Sequence, residues 1–75
     1  MTDLEQQARL YAVTIVPSAD EGFVASIPDF PRVYTSGETP EEALANAYEA
    51  IALSLAWYVE QGQPTPAPSV PAIAA

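Results

Sequence analysis

The stretch that decides the fold is TSGETPEEALANAYEAI, residues 35–51. It reads as a tight turn running into a capped helix. Thr39 is a favoured N-cap, Pro40 suits the first helical position, and Glu42 stands three residues after the cap, which completes a capping box. Glu41 and Glu42 complement the positive end of the helix dipole. Gly37 is read as the residue that lets the chain turn, because glycine tolerates positive φ. The helix is predicted to run to Gln61. Gly62 lies at the C-terminal cap position and Pro64 follows, a combination that stops a helix. At 1.5 Å per residue such a helix is about 33 Å long.

Working back from the helix, the preceding residues carry strand patterns. Residues 10–16, LYAVTIV, place Tyr11, Val13 and Ile15 on one face. Pro17 is expected to end this strand, and Asp20, Glu21 and Gly22 have turn chemistry. Residues 23–27, FVASI, form a second strand that would pair as an antiparallel hairpin. PDFP, residues 28–31, reads as a stiff loop, since two prolines fix φ and remove two donors. Residues 32–36, RVYTS, form a third short strand. After Gly62 the composition shifts to QPTPAPSVPAIAA, rich in proline. Within it, SVPAI is short and apolar enough to add a fourth, edge strand, where proline is tolerated.

The expected architecture is therefore α+β: a three-stranded antiparallel sheet packed by one long helix, with a short fourth strand at the C-terminus. Residues 1–9 read as a polar lead-in, 10–62 as the single domain and 63–75 as a Pro-rich tail. A 75-residue chain buries only about 60% of the surface its unfolded form exposes. Small size of this kind favours a homodimer or higher homo-oligomer, or a partner.

The helix sorts into faces at 100° per residue. Ala43, Leu44, Ala47, Tyr48, Ile51, Leu55, Tyr58 and Val59 form an arc broad enough to cover the sheet. Glu42, Glu49 and Glu60 lie on the opposite side, with Asn46 and Ala50 nearby. Leu53 and Trp57, one turn apart, fall among those glutamates. Either they are ordinary exposed apolar residues, or they anchor an interface, where tryptophan is enriched. Ala45, Ala52 and Ala56 make a smooth strip. It would let a second helix approach, or it reflects helix propensity alone.

The chain has two basic residues, Arg9 and Arg32, against ten acidic ones, for a net charge of −8, with no histidine and no cysteine. That balance argues against direct nucleic-acid binding, because phosphates would be repelled. It suits a basic partner, or serves solubility. No disulfide, thiolate or zinc knuckle can form, and the serines have no histidine to activate them. Asp20 and Glu21 sit at a turn tip, Asp29 in a stiff loop, and the helix glutamates along a solvated stripe. No catalytic, metal-binding or cofactor-binding set emerges, so the sequence argues against an enzyme. The opening MTDLEQQAR is not a secretory signal, and no apolar run approaches the roughly 18 residues of a membrane span. The expectation is a cytoplasmic protein that does not engage a membrane.

The ordered series of motifs resembles the HicB-like antitoxin family. The residues that carry the resemblance are Tyr11, Gly22, Pro28, Asp29, Pro31, Thr35, Gly37, Thr39, Glu41, Glu42, Ala43, Asn46, Ala47, Glu49, Ala50, Gly62, Pro66, Pro68 and Ser69. The resemblance implies a partial ribonuclease-H-like fold without nuclease activity. It also implies a role in a type II toxin–antitoxin system, neutralising HicA, a small basic ribonuclease that cleaves mRNA, by covering its surface. The alternative is a solitary homo-oligomeric domain of the same family without a toxin partner. Arg32 and Val33 stand where family members usually have Gly-Cys, which places a different side chain at a rim that a partner could touch. Arg32 thus joins Asn46, Glu49, Ala50, Leu53, Trp57 and Glu60 as a candidate interface residue. Many family members also carry a C-terminal DNA-binding domain. This sequence ends in VPAIAA without one, so the expectation is that this polypeptide alone does not autoregulate.

Overall fold

The computed structural model describes residues 2–68. The order of elements is α1 (Thr2–Ala8), β1 (Thr14–Ser18), β2 (Gly22–Ile27), β3 (Phe30–Gly37) and α2 (Pro40–Glu60). The three strands make one antiparallel sheet in the order β1-β2-β3, and α2 lies across one face. The expected α+β sheet-and-helix architecture is present. The proposed fourth strand at SVPAI lies outside the described residues.

The amino terminus differs from the polar lead-in expected for residues 1–9. Residues 2–8 form a helix, and Ala8 is fully buried with Leu4 packed against the core. The helix ends in a tightened turn: the amides of Arg9, Leu10 and Tyr11 each reach back three residues, at 3.0–3.2 Å. That turn delivers Tyr11 into the core, so Tyr11 is buried ahead of the sheet and not on a strand.

The first strand begins later than expected, at Thr14, and runs through Pro17 to Ser18. Pro17 pairs opposite Phe23. It is tolerated because β1 is an edge strand, where a missing N–H can face outward. A three-residue loop then leads to Gly22, whose φ of 80° is the left-handed conformation such a loop needs. The glutamate before it is tied back, Glu21 N–H donating to Ser18 Oγ at 3.3 Å.

The PDFP segment is shorter as a loop than its prolines suggest. Only residues 28–29 form the turn, and Phe30 already pairs with Ile27. The register is regular from Phe23↔Gly37 to Ser26↔Tyr34 and then jumps to Ile27↔Phe30. The jump leaves Pro31, Arg32 and Val33 as extra length in β3, a bulge of the kind that re-aims side chains. Phe30 is buried by it, while Pro31 and Arg32 are exposed.

Both ends of α2 follow their sequence signals. Thr39 Oγ1 accepts from Glu42 N–H at 3.1 Å. The reciprocal half of the box is displaced by one residue: Glu42 Oε1 accepts from the Glu38 N–H at 2.7 Å, and not from that of Thr39. At the other end Gln61 is the C-cap and Gly62 has φ 68°. The Gly62 amide donates to Val59 O at 3.1 Å and the Gln63 amide to Tyr58 O at 2.9 Å. That pair of bonds is the Schellman closure, which satisfies carbonyls the helix would leave open.

Gly37 has a different task from the one its sequence context suggests. Its φ is not positive. A Cβ placed on it would sit 2.5 Å from the backbone nitrogen of Ala43 and 2.9 Å from the carbonyl carbon of Glu42. Glycine is there so that the end of β3 can touch the first turn of α2.

The core consists of Ala8, Tyr11, Ala25, Ile27, Phe30, Ala43, Ala47, Ile51 and Leu55. Three of the helix and sheet contacts are alanine, which brings the two layers close. Ile27, Ile51 and Leu55 supply the largest fully buried side chains, worth about 1.5–3 kcal/mol each relative to exposure. Val59 was expected in the apolar arc but is 64% exposed. The helix spans about 31 Å, while β2, with six residues, spans about 20 Å. The last turn of α2 therefore has little sheet beneath it.

Candidate partner-binding surface

Leu53 and Trp57 emerge from the outer side of α2, 69% and 51% exposed. Glu49 and Glu60 are exposed on the same stripe. At 100° per residue all four lie within about 40° of Leu53. The helix thus presents an apolar pair between carboxylates.

Trp57 also walls an open groove of about 450 Å³ between α2 and the bulge of β3, together with Arg32, Asp29, Ser54 and Tyr58. The bulge brings Arg32 to this groove, so two candidates that are 25 positions apart in sequence meet in the fold. Three of its lining residues, Phe30, Trp57 and Tyr58, belong to a chain of edge-to-face aromatic rings that continues inward to Tyr11. Trp57 meets Tyr58 at 5.2 Å, Tyr58 meets Phe30 at 6.3 Å and Phe30 meets Tyr11 at 5.1 Å between centroids. Such pairs prefer this geometry because the positive edge of one ring faces the negative face of the next.

The far end of the aromatic chain holds the segment after α2. The Tyr11 hydroxyl donates to the carbonyl oxygen of Pro66. Burial pushes the Tyr11 hydroxyl above its ordinary pKa, and Asp29 and Tyr58 act in the same direction while a hydrogen bond with Thr65 acts against them. The neutral phenol is the form the fold prefers. No sequence signal separated Tyr11 as a strand residue from Tyr11 as a latch, since the partner is 55 residues away.

The remaining candidates have other surroundings. Asn46 is half-buried, and its side-chain amide donates to Ser36 O at 2.9 Å, tying α2 to β3. Ala50 is half-buried and its carbonyl accepts from Ser54 Oγ at 3.1 Å. Glu49 borders a second open groove, between α1 and α2, with Glu5, Glu41 and Arg9. There the Arg9 guanidinium lies 5.6 Å from the centre of the Tyr48 ring, a cation–π contact. Among the described residues no group of three or more metal-ligating side chains converges, and no helix is long and apolar enough to cross a membrane.

The described residues thus form an acidic two-layer α+β domain with an open, partly aromatic groove on its helix side. Comparison with known proteins gives the family. Residues 11–74 match the model of the HicB-like antitoxin of bacterial toxin–antitoxin systems, and the chain belongs to that family. It is similar to antitoxin HicB 1 of Photorhabdus laumondii, 38% identical over 58 residues, which are 77% of this chain and 37% of that protein. It is similar also to antitoxin HicB of Escherichia coli K12, 36% identical over 59 residues, 79% of this chain and 43% of the relative. An uncharacterized 14.9 kDa protein from the rep-hol intergenic region of Haemophilus phage HP1 is 35% identical over 57 residues, 76% of this chain and 42% of its own length. The chain spans about two fifths of the length of the curated relatives it matches. The family is one of antitoxins of bacterial toxin–antitoxin systems.

Proposed function

We propose that this domain is the toxin-recognising part of an antitoxin and neutralises a small basic HicA-like ribonuclease, one that cleaves mRNA, by covering its surface. The observation that carries the reading is the exposed Leu53 and Trp57 pair set among carboxylates on a chain of net charge −8. The charge steers a basic protein to this surface and raises its association rate. The apolar pair and the aromatic groove beside it then supply contact area that water leaves on binding. Arg32 and Asp29 at the groove rim fix orientation more than affinity.

The test is co-expression of the full chain with a small basic HicA-like ribonuclease. Growth should be rescued, and the two proteins should co-purify. Leu53→Ala together with Trp57→Ala should abolish rescue while far-UV circular dichroism stays that of the folded domain. Association should slow as salt rises, because the steering term is screened. Rescue that is unchanged in the double variant would remove these residues from the interface. Failure of the unaltered chain to bind or rescue would overturn the toxin reading itself.

A further inference from the structure

A net charge of −8 attracts basic proteins of every kind and does not choose between them. Choice needs an element that penalises the wrong partner. Only two side chains in the sequence carry positive charge, Arg9 and Arg32, and their surroundings differ. Arg9 lies against the Tyr48 ring, in a groove that Glu5, Glu41 and Glu49 also line, so carboxylates of its own chain border it. Arg32 is exposed on the bulge of β3 and lines the groove that Trp57 walls.

The backbone at Arg32 is held on both sides. Pro31 before it has a fixed φ, and Val33 after it packs against the core. The guanidinium therefore reaches the groove from an anchored stretch of strand. Phe30, Trp57 and Tyr58 line the groove beside it, so a protein seated there displaces water from around the charge. A guanidinium dried in this way and left without an acceptor weakens the complex strongly. A basic protein that met Arg32 with a lysine or an apolar side chain would meet that penalty.

We propose that Arg32 is the residue by which this surface selects among basic proteins, and that it does so by taking a carboxylate of the toxin. The inference rests on the toxin reading above. A guanidinium offers parallel N–H donors that match the two oxygens of a carboxylate, a match that a lysine ammonium does not make. Asp29 lines the same groove, and like-charge repulsion confines the incoming carboxylate to the Arg32 side. The Ser54 hydroxyl, also in the lining, already donates to the Ala50 carbonyl at 3.1 Å. The toxin that fits is thus basic overall, with one acidic side chain on the patch that meets the β3 bulge.

The pairing has a kinetic signature that the carboxylates of this chain do not share. At long range Arg32 repels a basic protein, and at contact it holds one. Neutralising it should speed approach and speed release, whereas neutralising a glutamate slows approach.

Surface plasmon resonance of the full chain with an inactive form of a small basic HicA-like ribonuclease tests this. Arg32→Gln removes one positive charge from a chain of −8 and leaves −9. Its association rate should equal or exceed that of the unaltered chain, while its dissociation rate should rise at least about tenfold. Arg32→Lys keeps the charge without the fork, and its dissociation rate should fall between the two. Polylysine, which has no acidic side chain, should bind Arg32→Gln at least as tightly as it binds the unaltered chain. When the surface carboxylates of the ribonuclease are changed to lysine one at a time, Arg32→Glu should restore binding at one of them. Circular dichroism checks that each variant is folded. Dissociation of Arg32→Gln that is unchanged or slower would overturn the proposal, because Arg32 would then only repel. Equal losses toward the ribonuclease and polylysine would overturn it too, as would a scan in which no carboxylate couples to Arg32. In each of these cases the unaltered chain still binds and the toxin reading stands. If the unaltered chain does not bind the ribonuclease, the toxin reading falls and this inference falls with it.

Discussion

Replacing Gly37 with alanine probes the contact that joins the two layers. The added methyl carbon would lie 2.5 Å from Ala43 N, 2.9 Å from Glu42 C and 3.0 Å from Ala43 Cα. All three are backbone atoms, so no rotamer change relieves them. The first turn of α2 must move, and it is pinned by the Ala43 amide donating to Thr39 O at 2.9 Å and by Asn46 on Ser36. Overpacking of this kind costs about 1–3 kcal/mol. For a chain of this length the total stability is about 4–11 kcal/mol at typical values per residue. Each kcal/mol corresponds to about 4–8 °C in a domain of this size, so Tm should fall by roughly 10 °C. Thermal melts followed by far-UV circular dichroism measure it. The cause is separable from backbone strain by a second pair of variants. Gly62 has φ 68° and open space around its Cβ position, so Gly62→Ala should cost about 1 kcal/mol. Gly62→Asn should recover part of that, because asparagine tolerates the left-handed region. At Gly37 the larger asparagine should be worse than alanine. A Tm for Gly37→Ala equal to that of the unaltered chain, or a recovery by Gly37→Asn, would refute the close-approach argument.

Two further substitutions have directions fixed by the structure. Thr39→Ala removes the acceptor for the Glu42 amide and should cost about 1 kcal/mol, read from the urea midpoint at unchanged slope. Tyr11→Phe frees the Pro66 carbonyl, and amide hydrogen exchange at Thr65 and Ala67 should speed up. The same variant should change the alkaline limb of stability. Because the Tyr11 pKa is raised in the folded state, the unfolded chain loses its proton first as pH climbs past about 10. The stability associated with this group is therefore complete below that pH and lost as pH rises toward the folded value. In Tyr11→Phe that part of the alkaline fall should be missing from urea midpoints measured across pH 9 to about 11.

The parts of the fold that could be read in advance are those with local causes. Thr39, Pro40, Gln61 and Gly62 mark α2 because capping involves residues within one turn of each other. Gly62 was legible as a left-handed cap, while Gly37 was not legible as a contact point, since what excludes a side chain there is the helix start five and six residues on. The helix α1 escaped notice because, among its described side chains, only Leu4 and Ala8 meet the core, too few for a period to show. Pro17 is a strand breaker by composition and is harmless on an edge. The surface was partly legible. Leu53 and Trp57 stand out on a helical wheel, and both are exposed. Their meeting with Arg32 was not readable, because it depends on three extra residues in β3 that appear only as a break in register. Asn46 looked like a surface residue by position on the wheel, and its partner, the Ser36 carbonyl, is main chain with no signature in sequence.

The row of rings from Trp57 through Tyr58 and Phe30 to Tyr11 has an optical consequence. Trp57 is the only tryptophan in the chain, so all long-wavelength emission comes from one indole at the rim of the groove. Light absorbed by Tyr58, in edge contact with it, passes to that indole by energy transfer, which makes the emission respond to the geometry of the pair. A protein seated on α2 would dry the indole and shift its emission to the blue. Release of Pro66 from Tyr11 would reach it only through the intervening rings, as a change in transfer efficiency at constant wavelength. One unlabelled sample therefore separates docking on the helix from loosening of the latch, by colour in the first case and by excitation spectrum in the second.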